Sequence, residues 1–334
     1  MRVISLGSGS SGNALLVEAG PQGRTKVLVD AGLSGRKLQE RLLLAGASPA
    51  QLRAVLITHE HSDHILAIPY LLKRSSMSVM ADPRTLEAIK QGVTSGLIYS
   101  DSGRPVRLDR GDVECQVPER VVDSGSLGIS DSLEGLPGAD SIQPAISSKV
   151  KADASRYMSL KSGSSVVIGD LKVTSFATSH DAVAPCGYLL STGGCRVCIV
   201  TDTGEATPGM LEAMNQADLL ILESNHDRER LLRGPYPYQV KRRILSPTGH
   251  LSNTQAADAI LKTWRASGIR WLWLAHLSRT NNTPQLALNS MRERVQAAKA
   301  NLAQLHVTVL PPDIGHVWDS TQLWQMPSLW EMKK

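Results

Sequence analysis

Four apolar, strand-like runs in this chain each end on a side chain able to bind a metal. His59 follows VLIT, His180 follows TSFATS, Asp202 follows CIVT and His276 follows LWLA. In α/β proteins the loops at the carboxyl ends of strands meet on one edge of the sheet, and ligand sites collect there. One histidine after a strand is more often structural; four such positions point to a metal site. They also demand a fold that brings several strand ends together.

The remaining pattern agrees with that demand. RVISLG, ALLVEA and TKVLVDAG read as successive strands, followed by an amphipathic helix over GRKLQERLLLAG that ends at Gly46. DPRTLEAIKQG carries Asp82 as N-cap, Pro83 at the first helical position and Gly92 as a C-terminal stop. After a Ser-, Gly- and Asp-rich stretch the alternation resumes with DLKVTSFATSH, CGYLLST and CRVCIVTDTG, then helices and strands in turn. Strands first, then strand and helix alternating, in both halves, predict an α/β sandwich of two sheets with helices outside. The chain reads as one domain over 1–334, interrupted at about 100–157 by a mostly disordered insertion or long surface loop. The tail VWDSTQLWQMPSLWEMKK spaces three tryptophans evenly, which suggests docking onto the surface.

The densest chemistry lies in THEHSDH, residues 58–64. It is not the HExxH helix of a zinc protease, which needs two histidines at i and i+4 on one face. His59 and His61 are two apart, and His59 and His64 five apart, so the cluster reads as a loop after a strand. Glu60 then has no catalytic role. The number of ligands points to two metals: His59, His61 and His180 for one ion, Asp63, His64 and His276 for the other, with Asp202 bridging. Mixed imidazole and carboxylate ligation suits Zn2+ or Mn2+. Two ions about 3.5–4 Å apart lower the pKa of water and clamp an in-line displacement. Asp30, in LVDAG, reads either as an acceptor that orients a ligand histidine or as a turn residue before Gly32.

Composition excludes little but is consistent. The 334 residues are 42% hydrophobic and 20% charged, ordinary for a globular chain. No apolar run approaches the roughly 20 residues of a membrane span, and MRVISLGSGSSGN lacks a signal peptide's apolar segment, so the expected location is the cytoplasm, with no membrane partner. A net charge of +5 leans towards anionic partners. Of the four cysteines, Cys195 and Cys198 form a CxxC, but in an apolar β-rich run with no second pair they read as buried strand thiols.

THEHSDH, then SH, TDTG and LAHLS in this order resemble the signature of the metallo-β-lactamase superfamily, over nearly the whole chain outside about 100–157. That resemblance implies an αββα sandwich, two mixed sheets flanked by helices, and the seven ligands just named. LGSGSSGNALLVE, VDAGLSG, SHDAVAPCGY, ESNHD, RRILSPTGHLSN and LAHLSRTNN are similar to its nuclease-like YycJ/WalJ-type branch. In the related tRNase Z type an acidic residue and a Gly-His-Ser element lie between the last two ligands; here Glu223 and His250 hold those places.

The implied activity is two-metal phosphodiester hydrolysis of DNA or RNA, with a 5′-to-3′ exonuclease as its sharper form. Asp63 would accept or orient the proton of the attacking water. His250 would be the general acid, held by Glu223; otherwise it only precedes the Ser252/Asn253 helix cap. Ser278, Asn281 and Asn282 would bond phosphate oxygens or cap a turn. Arg228, Arg230, Arg233, Lys241, Arg242 and Arg243 would track a phosphate backbone or form a solvated face. GSGSSGN offers backbone amides to a phosphate, or serves tight strand turns. Few aromatics, 4% of the chain, make backbone contacts the expected mode of binding. The competing activity is a thioesterase of glyoxalase II type or a lactonase. The 74 residues from Asp202 to His276 are too few to hold an inserted β-CASP domain.

Overall fold

A computed structural model describes residues 1–100, 103–108, 154–265 and 270–323. The chain begins with two antiparallel connections, β1 (Arg2–Gly7) to β2 (Ala14–Ala19) to β3 (Thr25–Val29). Helix α1 (Gly35–Leu44) then returns it to β4 (Leu52–Leu56), parallel to β3. Short helices α2 (Ser62–Ile65) and α3 (Ile68–Arg74) precede β5 (Ser78–Ala81), and α4 (Pro83–Ser95) precedes a separate hairpin of β6 (Leu97–Tyr99) and β7 (Pro105–Arg107). Strand β8 (Tyr157–Ser159) closes this side beside β5.

The second half opens with the meander β9 (Ser165–Ile168), β10 (Leu171–Ala177), β11 (Cys186–Thr192) and β12 (Cys195–Val200). Parallel strands follow: β13 (Leu219–Glu223) after helix α5 (Pro208–Gln216), then β14 (Arg270–Ala275) and β15 (Leu305–Val309). Between β13 and β14 lie α6 (Arg228–Arg233), α7 (Tyr238–Ile244) and α8 (Asn253–Lys262); α9 (Pro284–Ala297) links β14 to β15. Finally β16 (Val317–Asp319) crosses over to pair with β1, Trp318 opposite Val3. The result is two seven-stranded mixed sheets, ordered 16-1-2-3-4-5-8 and 15-14-13-12-11-10-9.

Burial follows from strand alternation. Val3, Val17, Val27, Tyr188, Val197, Ile199, Trp273 and Trp318 fill the space between the sheets. The opposite face of the first sheet packs Leu28, Val55 and Val79 against Leu38 and Leu42 of α1 and Ile89 of α4. The second sheet packs Cys198, Val200 and Leu220 against Met210 of α5, Ile260 of α8 and Met291 of α9. Each helix offers one apolar stripe, so it can cover only one sheet face. This is the two-sheet, helix-flanked sandwich the sequence predicts. Cys195 lies in the inter-sheet core and Cys198 in the outer one, both buried and unbridged, because residues an odd number apart on a strand face opposite ways.

One detail differs from expectation. Helix α4 runs past Gly92 to Ser95 and stops at Gly96, which takes φ 72° as a left-handed cap. Gly92 sits inside the helix because a Cβ there would meet Ile98 at 2.6 Å. The Arg-rich stretch folds into α6 and α7. The 100–157 segment keeps its ends in the structure, as β7 and the first residue of β8; residues 101–102 and 109–153 lie outside the described residues, as do Trp324 and Trp330 of the tail. Among the described residues no helix is long and apolar enough to cross a membrane.

Candidate metal centre

Strands β1, β3 and β4 of the first sheet run one way, and β10, β12, β13 and β14 of the second run one way. The loops after these seven strands meet at one end of the sandwich, tied across by Cys186 N to Thr58 O (3.0 Å) and His276 N to Ser8 Oγ (2.9 Å). Asp30, Asp202 and His276, each just after a strand, hold left-handed φ of 59°, 50° and 53°. Such backbone costs about 1–3 kcal/mol per residue and turns the chain sharply over the strand ends.

Every proposed ligand arrives at this end. Donor atoms of His59, His61 and His180 lie within 4.8 Å of one another, and so do those of Asp63, His64 and His276. His59, His64 and Asp202 form a third such group, linking the first two. His59, His64, His180, Asp202 and His276 are at most 4% exposed, and His61 and Asp63 are 8% exposed. The cluster is not wholly a loop. His61 caps α2, its carbonyl accepts from His64 N (2.9 Å), and Asp63 and His64 lie on that helical turn. Acidic Asp63 in a first helical turn is favoured by the unpaired amides there.

Around the ligands lies a second set of bonds. Asp30 accepts from Thr58 N (2.8 Å) and sits 2.9 Å from His64 Nδ1. Thr58 Oγ1 is 3.0 Å from His59 Nδ1 and 3.0 Å from Asp30 Oδ2. Asn13 Nδ2 is 3.0 Å from His64 Nε2 and 3.4 Å from Asp63 Oδ2. His180 Nδ1 meets the Gly249 carbonyl at 3.1 Å. These close approaches need Gly32, where a Cβ would fall 1.5 Å from the Asp63 carbonyl oxygen. Sequence reasoning missed Thr58 and Asn13, although both stand inside motifs it singled out. Gly9 N bonds Asn13 Oδ1 (2.8 Å) and Gly12 N bonds Gly9 O (2.9 Å), so these amides of GSGSSGN hold the loop itself rather than a phosphate. Glu60 joins the two ligand loops by accepting from Val183 N (2.7 Å).

Glu223 is the hub of the second half. It is fully buried; Oε1 lies 2.7 Å from His250 Nδ1 and 2.9 Å from His276 Nδ1, and Oε2 accepts from Thr203 N (3.0 Å) and Leu251 N (3.2 Å). It thus orients two imidazoles, not His250 alone. Burial works against its charge, but His250 and His276 outweigh it and hold the carboxyl below its ordinary range. Asp202 is likewise held well below it, with burial outweighed by His276 and His64. Burial, then the His64 and His61 rings, push His59 well below the usual imidazole range. Burial also opposes charge on His64, yet Asp30 and Asp202 raise it well above that range, and Asp202 does the same for His276.

The expected substrate contacts divide. Asn282 spends its amide inside the fold, on Ser224 O (2.8 Å) and in a reciprocal pair with Asn253 (2.8 and 3.0 Å). Ser278 Oγ accepts from Asn281 N (3.1 Å), a turn cap. Asn281 is 1% exposed. Arg243 Nη2 reaches Asp181 Oδ1 (2.8 Å), beside His180, whereas Arg242 is exposed. His226 is fully buried, and burial lowers it to about 4.

Family comparisons match this geometry. A model of the Metallo-beta-lactamase superfamily covers residues 7–145, and one of the Beta-lactamase superfamily domain covers residues 125–276. The chain is 33% identical to exodeoxyribonuclease WalJ of Streptococcus pneumoniae serotype 2 (strain D39), over 89% of this chain and 88% of that one. It is 30% identical to exodeoxyribonuclease YycJ of Bacillus anthracis, over 86% of each. Human tRNase Z, short form, shares the fold at TM-score 0.54 and 17% identity, covering 96% of this chain and 99% of that one. The chain belongs to the metallo-beta-lactamase superfamily, within the group that holds the WalJ and YycJ exodeoxyribonucleases.

Proposed function

We propose that this protein is a two-metal phosphodiester hydrolase, a nuclease acting on DNA or RNA, with 5′-to-3′ exonuclease activity the form to test first. The observation that carries the reading is the buried Glu223–His250 pair, 2.7 Å apart, set against the ligand cluster through His276 and Asp202. Cleaving a phosphodiester requires a proton for the departing oxygen, and this pair is built to hold one. The nuclease names of the relatives that span most of the chain support the same reading.

The residues fit divalent metal. His59 Nε2 and His276 Nε2 are buried without a hydrogen-bond partner, which is costly unless a cation meets them. His59, His61 and His180 would hold one ion, Asp63, His64 and His276 the second, and Asp202 both; the thiolate-free set suits Zn2+ or Mn2+. When bound, such ions lower the pKa of water and neutralise phosphate charge.

The protein's own groups divide the remaining work. Asp63, positioned by Asn13, orients the attacking water and takes its proton. His250 keeps Nδ1 on Glu223, so the proton given to the leaving oxygen is the one on Nε2. Asp30 fixes the ring of His64 through Nδ1 and turns Nε2 towards Asp202, 3.1 Å away. The thioesterase or lactonase reading has no use for the Glu223–His250 pair. A panel of labelled single- and double-stranded DNA and RNA, with Zn2+ or Mn2+, tests the proposal. Cleavage that chelation abolishes is expected; a metal-loaded protein that cuts none of them overturns it.

A further inference from the structure

The segment between Glu223 and His250 carries a feature that neither catalysis nor packing uses. Tyr238, at the start of α7, is 77% exposed, the most exposed of the large hydrophobic side chains among the described residues. It follows Pro235 and Pro237, whose fixed φ stiffens the approach to the helix. Helix α7 is held through its last turn. Lys241 Nζ bonds Leu232 O of α6 (2.7 Å), His250 N bonds Ile244 O (3.0 Å), and Arg243 grips Asp181 next to His180. The last turn of α7 is therefore tied to the residues of the centre, and Tyr238 opens the same helix. Six residues of helix separate it from Ile244, about 9 Å, a reach of only a few nucleotides.

The side chains around it define the chemistry that would settle there. Arg242, exposed, lies one helical turn after Tyr238 and so shares its face. On the preceding helix α6 Arg228 is also exposed, while Arg233 pairs with Glu229 at 3.2 Å. An exposed ring sharing a helix face with a guanidinium group matches a ligand that alternates planar π faces with anionic charge, which is a nucleic-acid strand. In a duplex both faces of an internal base are already stacked on neighbours. An internal base can lie on Tyr238 only if it is unpaired.

Resting on the nuclease reading above, we infer that Tyr238 is a base-stacking residue that positions an unpaired nucleotide beside the centre, with Arg242 on the adjoining phosphate, so that the substrate class is single-stranded nucleic acid or a strand with a frayed end. Tyr238 does not touch the reacting atoms; it acts through the register of the strand.

The test compares wild type, Tyr238→Ala and Tyr238→Phe on a labelled single-stranded oligodeoxynucleotide and on the same sequence as a blunt duplex. Loss of one stacking contact is expected to raise the single-strand KM about tenfold in Tyr238→Ala, with kcat changing less than twofold. The preference for single strand over duplex shrinks by the same factor, and Tyr238→Phe, which keeps the ring, restores both. A fluorescent 2-aminopurine placed a few nucleotides from the cut is quenched on binding to wild type and to Tyr238→Phe, and not to Tyr238→Ala. An unchanged single-strand KM in Tyr238→Ala, an equal rise on single strand and duplex, or no rescue by phenylalanine overturns the inference while the nuclease reading stands. Wild type that neither cuts nor binds any oligonucleotide overturns both.

Discussion

The two halves of the candidate centre are built in opposite ways. The first sheet supplies His59, His61, Asp63 and His64 from one short stretch, braced by Asp30 and Thr58 directly beneath. The second sheet supplies His180, Asp202 and His276 singly, from three strand ends; Asp202 meets His276 directly at 3.1 Å, and Glu223 ties His276 to His250. In the contiguous half most of the geometry is local backbone: the short turn of α2 sets Asp63 relative to His64. In the dispersed half it depends on neighbouring strands being in register and on one carboxylate shared by two rings. The first arrangement tolerates drift elsewhere in the fold, and the second transmits it.

The strongest test strikes the residue both halves share. Asp202→Ala should lower activity by about 10³-fold, as expected for removing several kcal/mol of metal-based stabilisation. Bound metal, measured by elemental analysis, should fall with it. Retention of full metal content would show that the halves hold their ions independently.

Next, His250→Ala should cost about 10²-fold in kcat, the lower end of the usual range for a general acid. Metal content should stay at the wild-type level, since Glu223 still anchors His276. A general acid must be protonated, so the variant should lose the alkaline limb of the wild-type pH–rate profile. Loss of metal in this variant would instead make His250 part of the dispersed ligand set.

Smaller again is the effect of the local brace. Asp30→Ala should weaken metal affinity by about 10- to 100-fold, read by titration with a competing chelator. An effect as large as that of Asp202→Ala would mean that the contiguous half is no more self-sufficient than the dispersed one.

The smallest effect lies at the other end of the sandwich, where Arg24 Nε and Thr25 Oγ1 both donate to Asp170 (2.8 Å each), joining β3 to the β9–β10 turn. The Arg24 and Thr25 hydrogen bonds hold the Asp170 carboxyl at about 2, below its ordinary 3.8. A depressed folded-state pKa stabilises above the unfolded value, so this contribution is complete above about pH 4 and fades as pH falls towards 2. Asp170→Asn should flatten that part of the acid-unfolding curve and leave metal content unaltered. Metal loss in this variant would show that inter-sheet ties far from the centre set its geometry.

Much of this was legible in the residues. The sandwich, the helices and the convergence of strand ends follow from apolar periodicity and helix punctuation, which act over a few residues and leave a local trace. The contiguous motif carried its own spacing, and spacing alone excludes the protease helix. Even there the reading of THEHSDH as entirely loop missed α2, because one helical turn leaves almost no periodicity to detect. Gly92 looked like a stop because a glycine after apolar spacing usually is one; its real reason is contact with Ile98, a neighbour only folding supplies.

The dispersed half was legible as residue types at strand ends, but not as geometry. That Glu223 bridges two histidines, that Asn282 closes on Asn253 rather than on substrate, and that Asn13 reaches from the β1–β2 loop to Asp63 and His64 all depend on strands being neighbours in the sheet or across the sandwich. Pairing partners are chosen by burial of whole faces, a cooperative quantity summed over the chain and written in no single stretch of it. The sequence by itself determined which side chains stand at which strand ends, and therefore the chemistry available. Only the tertiary structure decided which of them share a hydrogen bond, and Tyr238, unremarkable in the sequence, became a candidate for recognition only when its ring was found outside the core.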